Sequence, residues 1–524
     1  MILVFFWGLG SYELIDPDEG RYSEIAREML ETGDFVTPRL NYVKYFEKPV
    51  LHYWLTAASF AALGESEFAS RLIPVLCALG GICVVFALAR RYWGLDEGFY
   101  ASVILSTGLL WFAVARLNIL DMTVSFFITL SLAGFWRGCE REEEKKEEKS
   151  RRYLLVFYAG MAFATLSKGL IGIVLPGGIV FWYIVLTRRW RLIRRVLYGP
   201  GIALFILLTV PWFAMVCSVN DDFFYFFFVQ EHFLRYTTSI HGRYQPFWFF
   251  VPVLAAGMIP WAGLLPDMFR TIRIEAESGN EGRSFGLFLG LWFIVPFIFF
   301  SLSNSKLVPY IVPCLPPLAI LGGHVLSSIA KGGGPAAKRL VLANGFFSSL
   351  MMLAGIVYPL MDKKLGMALY PYTLPAAASL AFGAFCGIFL YRRREYGRMV
   401  YVLCFLAVVN LLVFSRGFAL KAELDSYKEP AAAIREQLGP DDVVVSYKSV
   451  AQGLSFYLKR RIVLADGAGE LEFGARQEKD PQWFIDSQGL KELWFGKRRV
   501  FLVTEKRHEE KLEQLLGKHN IIQV

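Results

Sequence analysis

The chain has 524 residues, 55% of them hydrophobic and 16% aromatic, and only 19% are charged, against about 25% in soluble globular proteins. Apolar runs of roughly 20 residues, the length that crosses a bilayer, recur as far as about residue 415; they exclude a soluble enzyme, a disordered scaffold and an outer-membrane barrel of short alternating strands. The net charge of +9 does not point to nucleic acid, because 17 Lys/Arg balance 17 Asp/Glu from Leu420 to the end and the excess lies in the membrane part.

In chain order, spans are predicted at 1–14, 71–90, 98–116, 121–137, 153–168, 170–187, 197–217, 247–266, 285–302, 308–329, 339–360, 373–391 and 399–415, thirteen in all. The first offers only about 14 residues against the roughly 20 of a full span. It has no Lys or Arg ahead of it, so one or two further turns are expected upstream; nothing in it reads as a cleaved signal peptide. Basic clusters at Arg90–Arg91, Arg188–Arg195, Lys338–Arg339 and Arg392–Arg394 then fall on one side of the membrane, as the positive-inside rule requires. The loops at 15–70, 117–121, 218–246 and 303–307 share the opposite side with the C-terminal domain.

Residues 16–33 (DPDEGRYSEIAREMLETG) read as a short helix. Asp16 is its expected N-cap, Pro17 its first residue, and Glu19 completes a capping box. Tyr22, Ile25, Ala26, Met29 and Leu30 form one apolar face, and Gly33 ends it. On this reading Asp18 and Glu19 are first-turn acids that complement the helix dipole. The apolar stretch 50–63 reaches about 21 Å at roughly 1.5 Å per residue, short of a ~30 Å hydrocarbon core. It is expected to be re-entrant or interfacial, with His52 on its surface. The charge run EREEEKKEEKSRR at 140–152 reads as a solvated helix extension.

From residue 420 the pattern becomes that of a soluble α/β domain. Helices are expected near 429–438, 451–458 and 507–517, and strands at 443–447, 461–465 and 500–504, with a short IIQV closing the chain. The chain thus divides at 419/420 into a transmembrane part, with loops 15–70 and 218–246, and a small domain without a Gly-rich phosphate loop. Seven cysteines, none beyond residue 420, suggest neither a disulfide framework nor a zinc site.

Chemistry is best sought in the first loop. The segment KYFEKP (44–49) brings Glu47 and Lys48 to the mouth of the short apolar helix, where charges beside hydrocarbon are costly and usually functional. Lys48, flanked by Tyr45 and Tyr53, suits a lipid phosphate; an acid beside it suits a base or a cation. Pro49 biases Lys48 towards an extended conformation, in which Glu47 and Lys48 are expected to point apart.

The segments DPDEGRY and KYFEKP, followed in order by RLNILDM (116–122), LSKG (166–169), EHFLRY (231–236) and SKLVPYIVPCLPPLA (305–319), resemble the bacterial aminoarabinose transferases. That family belongs to the C-type glycosyltransferases, which also include protein O-mannosyltransferases. The resemblance implies a polytopic α-helical membrane protein with a C-terminal periplasmic α/β domain in the bacterial inner membrane. It implies an inverting enzyme that moves a sugar from a polyprenyl-phosphate carrier to lipid A or another envelope acceptor. By the resemblance, Asp18 matches the essential acid, and Lys48, Tyr310 and Arg235 match contacts to the donor phosphate. Glu47 and His232 match the pair that holds a divalent metal, with zinc the candidate. Glu19, Arg21, Tyr22, Tyr45, Asp121, Lys168 and Lys306 are placed around the cavity. Two other readings stand beside this one: a protein O-glycosyltransferase using a polyprenyl-phosphate sugar, and a flippase or transporter of lipid-linked sugars. A transporter would more often carry polar or broken helices near the midplane, whereas the charges here gather in loops.

Overall fold

The computed structural model describes residues 2–139, 147–234, 245–278, 285–361 and 369–517. It falls into two compact units: Met1–Leu9 with Pro74–Gly417, and Gly10–Ile73 with Phe418–Val524.

The first unit is helical. Among the described residues, seven helices are long and apolar enough to span a membrane, or nine if each of two bent pairs counts as one span. Helices also occupy three further expected spans, at Leu120–Gly138, Glu147–Lys168 and Ile171–Thr187. The expected first span is different. Its helix covers only Ile2–Phe6, because Gly8 adopts a left-handed φ of 62° that ends it. The freed carbonyls of Val4 and Phe5 accept hydrogen bonds from buried Arg116, at 3.2 and 3.1 Å.

The bent pairs have identifiable causes. Leu95–Thr107 and Leu109–Ala115 meet at 63° around Gly108, whose backbone is extended. Phe250–Gly257 and Ala262–Ile274 meet at 114° across a segment containing Pro260, which has no N–H to continue a helix. Each break satisfies the other: Leu109 N–H donates to the Ile259 carbonyl at 3.2 Å, and Trp261 Nε1 donates to Thr107 Oγ1 at 2.8 Å. Broken backbone at membrane depth is tolerated only when its polar groups find such partners. Helix Leu315–Gly332 packs tightly on Leu95–Thr107 at Gly323, where a Cβ would stand 2.5 Å from the Glu97 carbonyl; small residues permit this approach.

The second unit joins the first loop to the C-terminal domain. Helix Asp18–Thr32 ends at Gly33, φ 69°, as expected. Strands β1 (Arg39–Leu40) and β2 (Val43–Lys44) form an antiparallel hairpin whose turn residues Asn41 and Tyr42 both have positive φ, 53° and 63°. Asn suits such a turn and Tyr does not; Tyr42 is held by its N–H to Glu28 Oε2 at 3.0 Å and its hydroxyl to Glu31 at 2.6 Å. The short apolar helix is Leu51–Leu63.

The C-terminal domain carries a parallel sheet ordered β5–β4–β3–β6, with β3 Val443–Tyr447, β4 Val463–Ala465, β5 Phe484–Ile485 and β6 Val500–Thr504. Strands β3, β4 and β6 and the three helices lie where the sequence places them; β5 and helix Ser487–Trp494 are additional, and IIQV lies outside the described residues. Val445, Tyr447, Val463, Ala465, Leu490, Leu512 and Leu516 form its core. The first loop is tied to this domain by Asn41, whose side-chain amide donates to the Ile462 carbonyl and accepts from its N–H, both at 2.9 Å.

Candidate active site

Helix Asp18–Thr32 begins one residue later than expected. Its cap position is Pro17, which supplies no side-chain bond, so the capping box is not formed. Glu19 turns instead to the Ile15 N–H at 3.0 Å and pairs with Arg71 through two bonds of 2.8 Å. Arg71 is fully buried, donates to the carbonyls of Tyr12 and Glu13, and lies 3.8 Å over the Tyr12 ring. Glu19 therefore anchors the start of the helix from within the packed interior.

Asp18 faces outward. Its side chain is 51% exposed, while that of its ion-pair partner Arg21 is 4% exposed. Arg21 is the centre of the cluster: Nη2 donates to Asp18, and Nη1 donates to Glu470 and, at 3.0 Å, to the Tyr45 hydroxyl. Tyr22 and Tyr45 are buried, and burial pushes both phenols well above their ordinary range, against the opposing field of Arg21. They remain neutral hydroxyls. His52, expected on a helix surface, is buried with its ring edge-on to Tyr22 at 5.9 Å; the helix Leu51–Leu63 packs that face against helix Asp18–Thr32.

Asp16, expected to cap the helix, accepts instead from the Gly453 N–H at 2.9 Å. Its other oxygen is sealed from solvent with no hydrogen-bond partner among the described residues. Burial raises its carboxyl to about 7, against the lowering effects of the Gly453 N–H and Arg21 and with a further rise from Glu19 and Asp18.

Lys48 and Glu47 do not diverge as expected. Lys48 Nζ donates to the Glu47 carbonyl at 2.8 Å and stands 3.8 Å from its carboxylate, because the long side chain folds back on the preceding residue. This bears on the cation expected at Glu47 and His232. Among the described residues no three His, Cys, Asp or Glu gather into a metal-binding group, and Glu47 already has an ammonium beside it. The side chain of His232 and all of Arg235 lie outside the described residues. The expected pairing of Glu47 with His232 on a cation therefore lies outside the described residues.

In the first unit, Asp121 and Lys168 form an ion pair, and Lys168 Nζ lies 4.5 Å from the centre of the Tyr310 ring. Three residues proposed from separate segments thus meet. Lys306 is apart in its bonding: its ammonium donates to the carbonyls of Ser303 at 2.5 Å and Gln245 at 2.8 Å, and burial lowers its pKa below the ordinary 10.5. Sequence reasoning missed Asp16 as a buried acid, Arg71 as the partner of Glu19, and Glu470. Arg71 and Glu470 carry no local motif, and each of the three acts through a partner remote in sequence.

Residues 47–215 match the family described as dolichyl-phosphate-mannose-protein mannosyltransferase, and residues 430–523 match the aminoarabinose transferase C-terminal domain. The chain is 31% identical to an undecaprenyl phosphate-α-4-amino-4-deoxy-L-arabinose arabinosyl transferase of Edwardsiella ictaluri, over 93% of this chain and 90% of that one. It is 30% identical to a Pseudomonas fluorescens protein of the same description, numbered 2, over 98% and 93%. Its fold is similar to the crystal structure of ArnT from Cupriavidus metallidurans bound to undecaprenyl phosphate, with a TM-score of 0.85 and 31% identity over 98% of this chain and 93% of that one. A multi-pass helical chain matched along nearly its whole length, membrane part and C-terminal domain alike, belongs to the undecaprenyl phosphate-aminoarabinose arabinosyl transferase family of polyprenyl-phosphate-sugar-dependent glycosyltransferases.

Proposed function

We propose that this chain transfers 4-amino-4-deoxy-L-arabinose from undecaprenyl phosphate to lipid A, with inversion, at the periplasmic face of the bacterial inner membrane. The observation that carries the reading is 31% identity to a transferase of that description over 93% of the chain.

The chemistry required is displacement at the anomeric carbon. An oxygen of the acceptor attacks that carbon, its bond to the carrier phosphate breaks, and the electron pair leaves with undecaprenyl phosphate. Negative charge therefore grows on the departing phosphate, and preorganised positive charge in a water-poor site is the large catalytic contribution. Lys48 is assigned to that phosphate. Its side chain is 14% exposed beside Glu47, and its ammonium is a compact point charge of the kind that binds phosphate.

Asp18 is assigned to the acceptor side. It is the exposed member of an ion pair whose other member is buried, so it meets solvent and incoming groups while Arg21 holds its direction. With a hydroxyl acceptor Asp18 takes the proton as general base; with a phosphate acceptor, already a nucleophile, it orients the acceptor or the sugar's ammonium. The test is mass spectrometry of lipid A from cells with and without the gene. Aminoarabinose-bearing species that depend on the gene support the reading; identical spectra contradict it.

A further inference from the structure

We propose that Glu470, supplied by the C-terminal α/β domain, is a positioning residue for Asp18, acting through Arg21. The proposal rests on the reading above, in which Asp18 serves the reaction. Glu470 lies in the single turn Gly469–Leu471 that follows β4, and its neighbour Gln452 opens the helix Gln452–Leu458 that follows β3. Both therefore come from the carboxyl ends of adjacent parallel strands. That edge is where open α/β sheets place their functional groups, although this domain has no phosphate-binding loop.

The geometry of Arg21 gives the placement its consequence. Its guanidinium meets Asp18 through one terminal nitrogen and Glu470 through the other, with the Tyr45 hydroxyl on the Glu470 side at 3.0 Å. A planar guanidinium with carboxylates on both nitrogens is fixed in the plane of its fork; with one of them removed it can turn about its side chain towards the other. Glu470 is in turn held by Gln452 Nε2 at 3.4 Å. Its side chain is 29% exposed, so replacing it does not open a sealed interior. Asp18, the only reacting member, keeps its direction because Arg21 is braced from behind by a residue 449 positions away from it in sequence.

The test uses the full chain purified in detergent, undecaprenyl phosphate-4-amino-4-deoxy-L-arabinose as donor and lipid A as acceptor. Glu470→Gln keeps the shape and removes the charge. It is expected to lower kcat by about tenfold to a hundredfold, the scale of one hydrogen bond to a charged group, with donor KM within about twofold of wild type. Glu470→Asp, which keeps the carboxylate, is expected to recover part of the lost kcat and carries the comparison if the glutamine variant does not fold. Asn41→Ala breaks the tie to Ile462 without touching Arg21 and is expected to leave kcat near wild type. An active wild type with Glu470→Gln within about twofold of it in kcat overturns the proposal alone, as does an Asn41→Ala loss equal to that of Glu470→Gln. A wild type without transfer overturns the functional reading and the proposal with it.

Discussion

Asp16 accepts a hydrogen bond from the Gly453 N–H through one carboxylate oxygen, while its other oxygen is buried beside Gly20 and Gly453 without a hydrogen-bond partner among the described residues. The first loop thus reaches the C-terminal domain through an acid that burial has raised from 3.8 to about 7. Folding takes up a proton between those values. The stabilisation is complete below the unfolded value and is lost as pH rises to about 7, a fall of about 4 kcal/mol across the window. Asp16→Asn removes this dependence. The expected outcome is a thermal midpoint that drops between pH 4 and 7 in the wild type and drops less in the variant; equal slopes would show that Asp16 does not hold the proton.

Asp18→Asn should abolish transfer while leaving expression and membrane insertion intact. The side chain is half exposed and contributes little packing, so its loss is chemical rather than structural. Retention of more than about a tenth of the wild-type rate, a barrier change under ~1.4 kcal/mol, would reduce Asp18 to a helix-end acid.

Lys48→Ala should weaken donor binding and slow transfer together, because the phosphate that Lys48 contacts gains charge as it leaves. A loss of about 1.5–3 kcal/mol in kcat/KM is expected, the range for hydrogen bonds to charged groups. Lys48→Arg should recover part of it, since a planar fork does not reproduce an ammonium. Wild-type donor affinity and turnover in Lys48→Ala would mean that the lysine only anchors the loop at lipid headgroups.

Lys168→Met should destabilise the first unit by about 3 kcal/mol, because it leaves the Asp121 carboxylate without its ammonium in a site where both are largely buried. The double variant Asp121→Asn/Lys168→Met should regain much of that loss, read as thermal midpoints in detergent. A single variant as stable as the wild type would show that the pair contributes nothing to the fold.

Much of the fold is legible in local pattern. Twelve of the thirteen expected spans coincide with helices or bent helix pairs, since an apolar run of membrane length has one outcome in lipid. Gly33 ends its helix, and β3, β4 and β6 lie on their expected runs. The first span failed at Gly8, where a left-handed residue stops a helix that composition alone would continue. Partner choice was much less legible. Glu19 satisfies every local rule for a capping box, yet it is claimed by Arg71, 52 residues on, because a buried guanidinium needs a carboxylate more than a helix end needs a cap. Lys48 turned back to Glu47 for a similar reason: burial makes an ammonium seek the nearest oxygen. Glu470 sits in a stretch with no motif, and only the docking of the sheet's carboxyl edge on the first loop brings it to Arg21.

The central claim is glycosyl transfer, and the most direct measurement is made with the purified chain in detergent, undecaprenyl phosphate-linked aminoarabinose and lipid A, with no sealed membrane present. The account predicts aminoarabinose-modified lipid A and free undecaprenyl phosphate formed in equal amounts, both absent with Asp18→Asn. No modified lipid A from active-conformation wild-type protein, together with donor movement only in sealed vesicles, would contradict it in favour of a transporter.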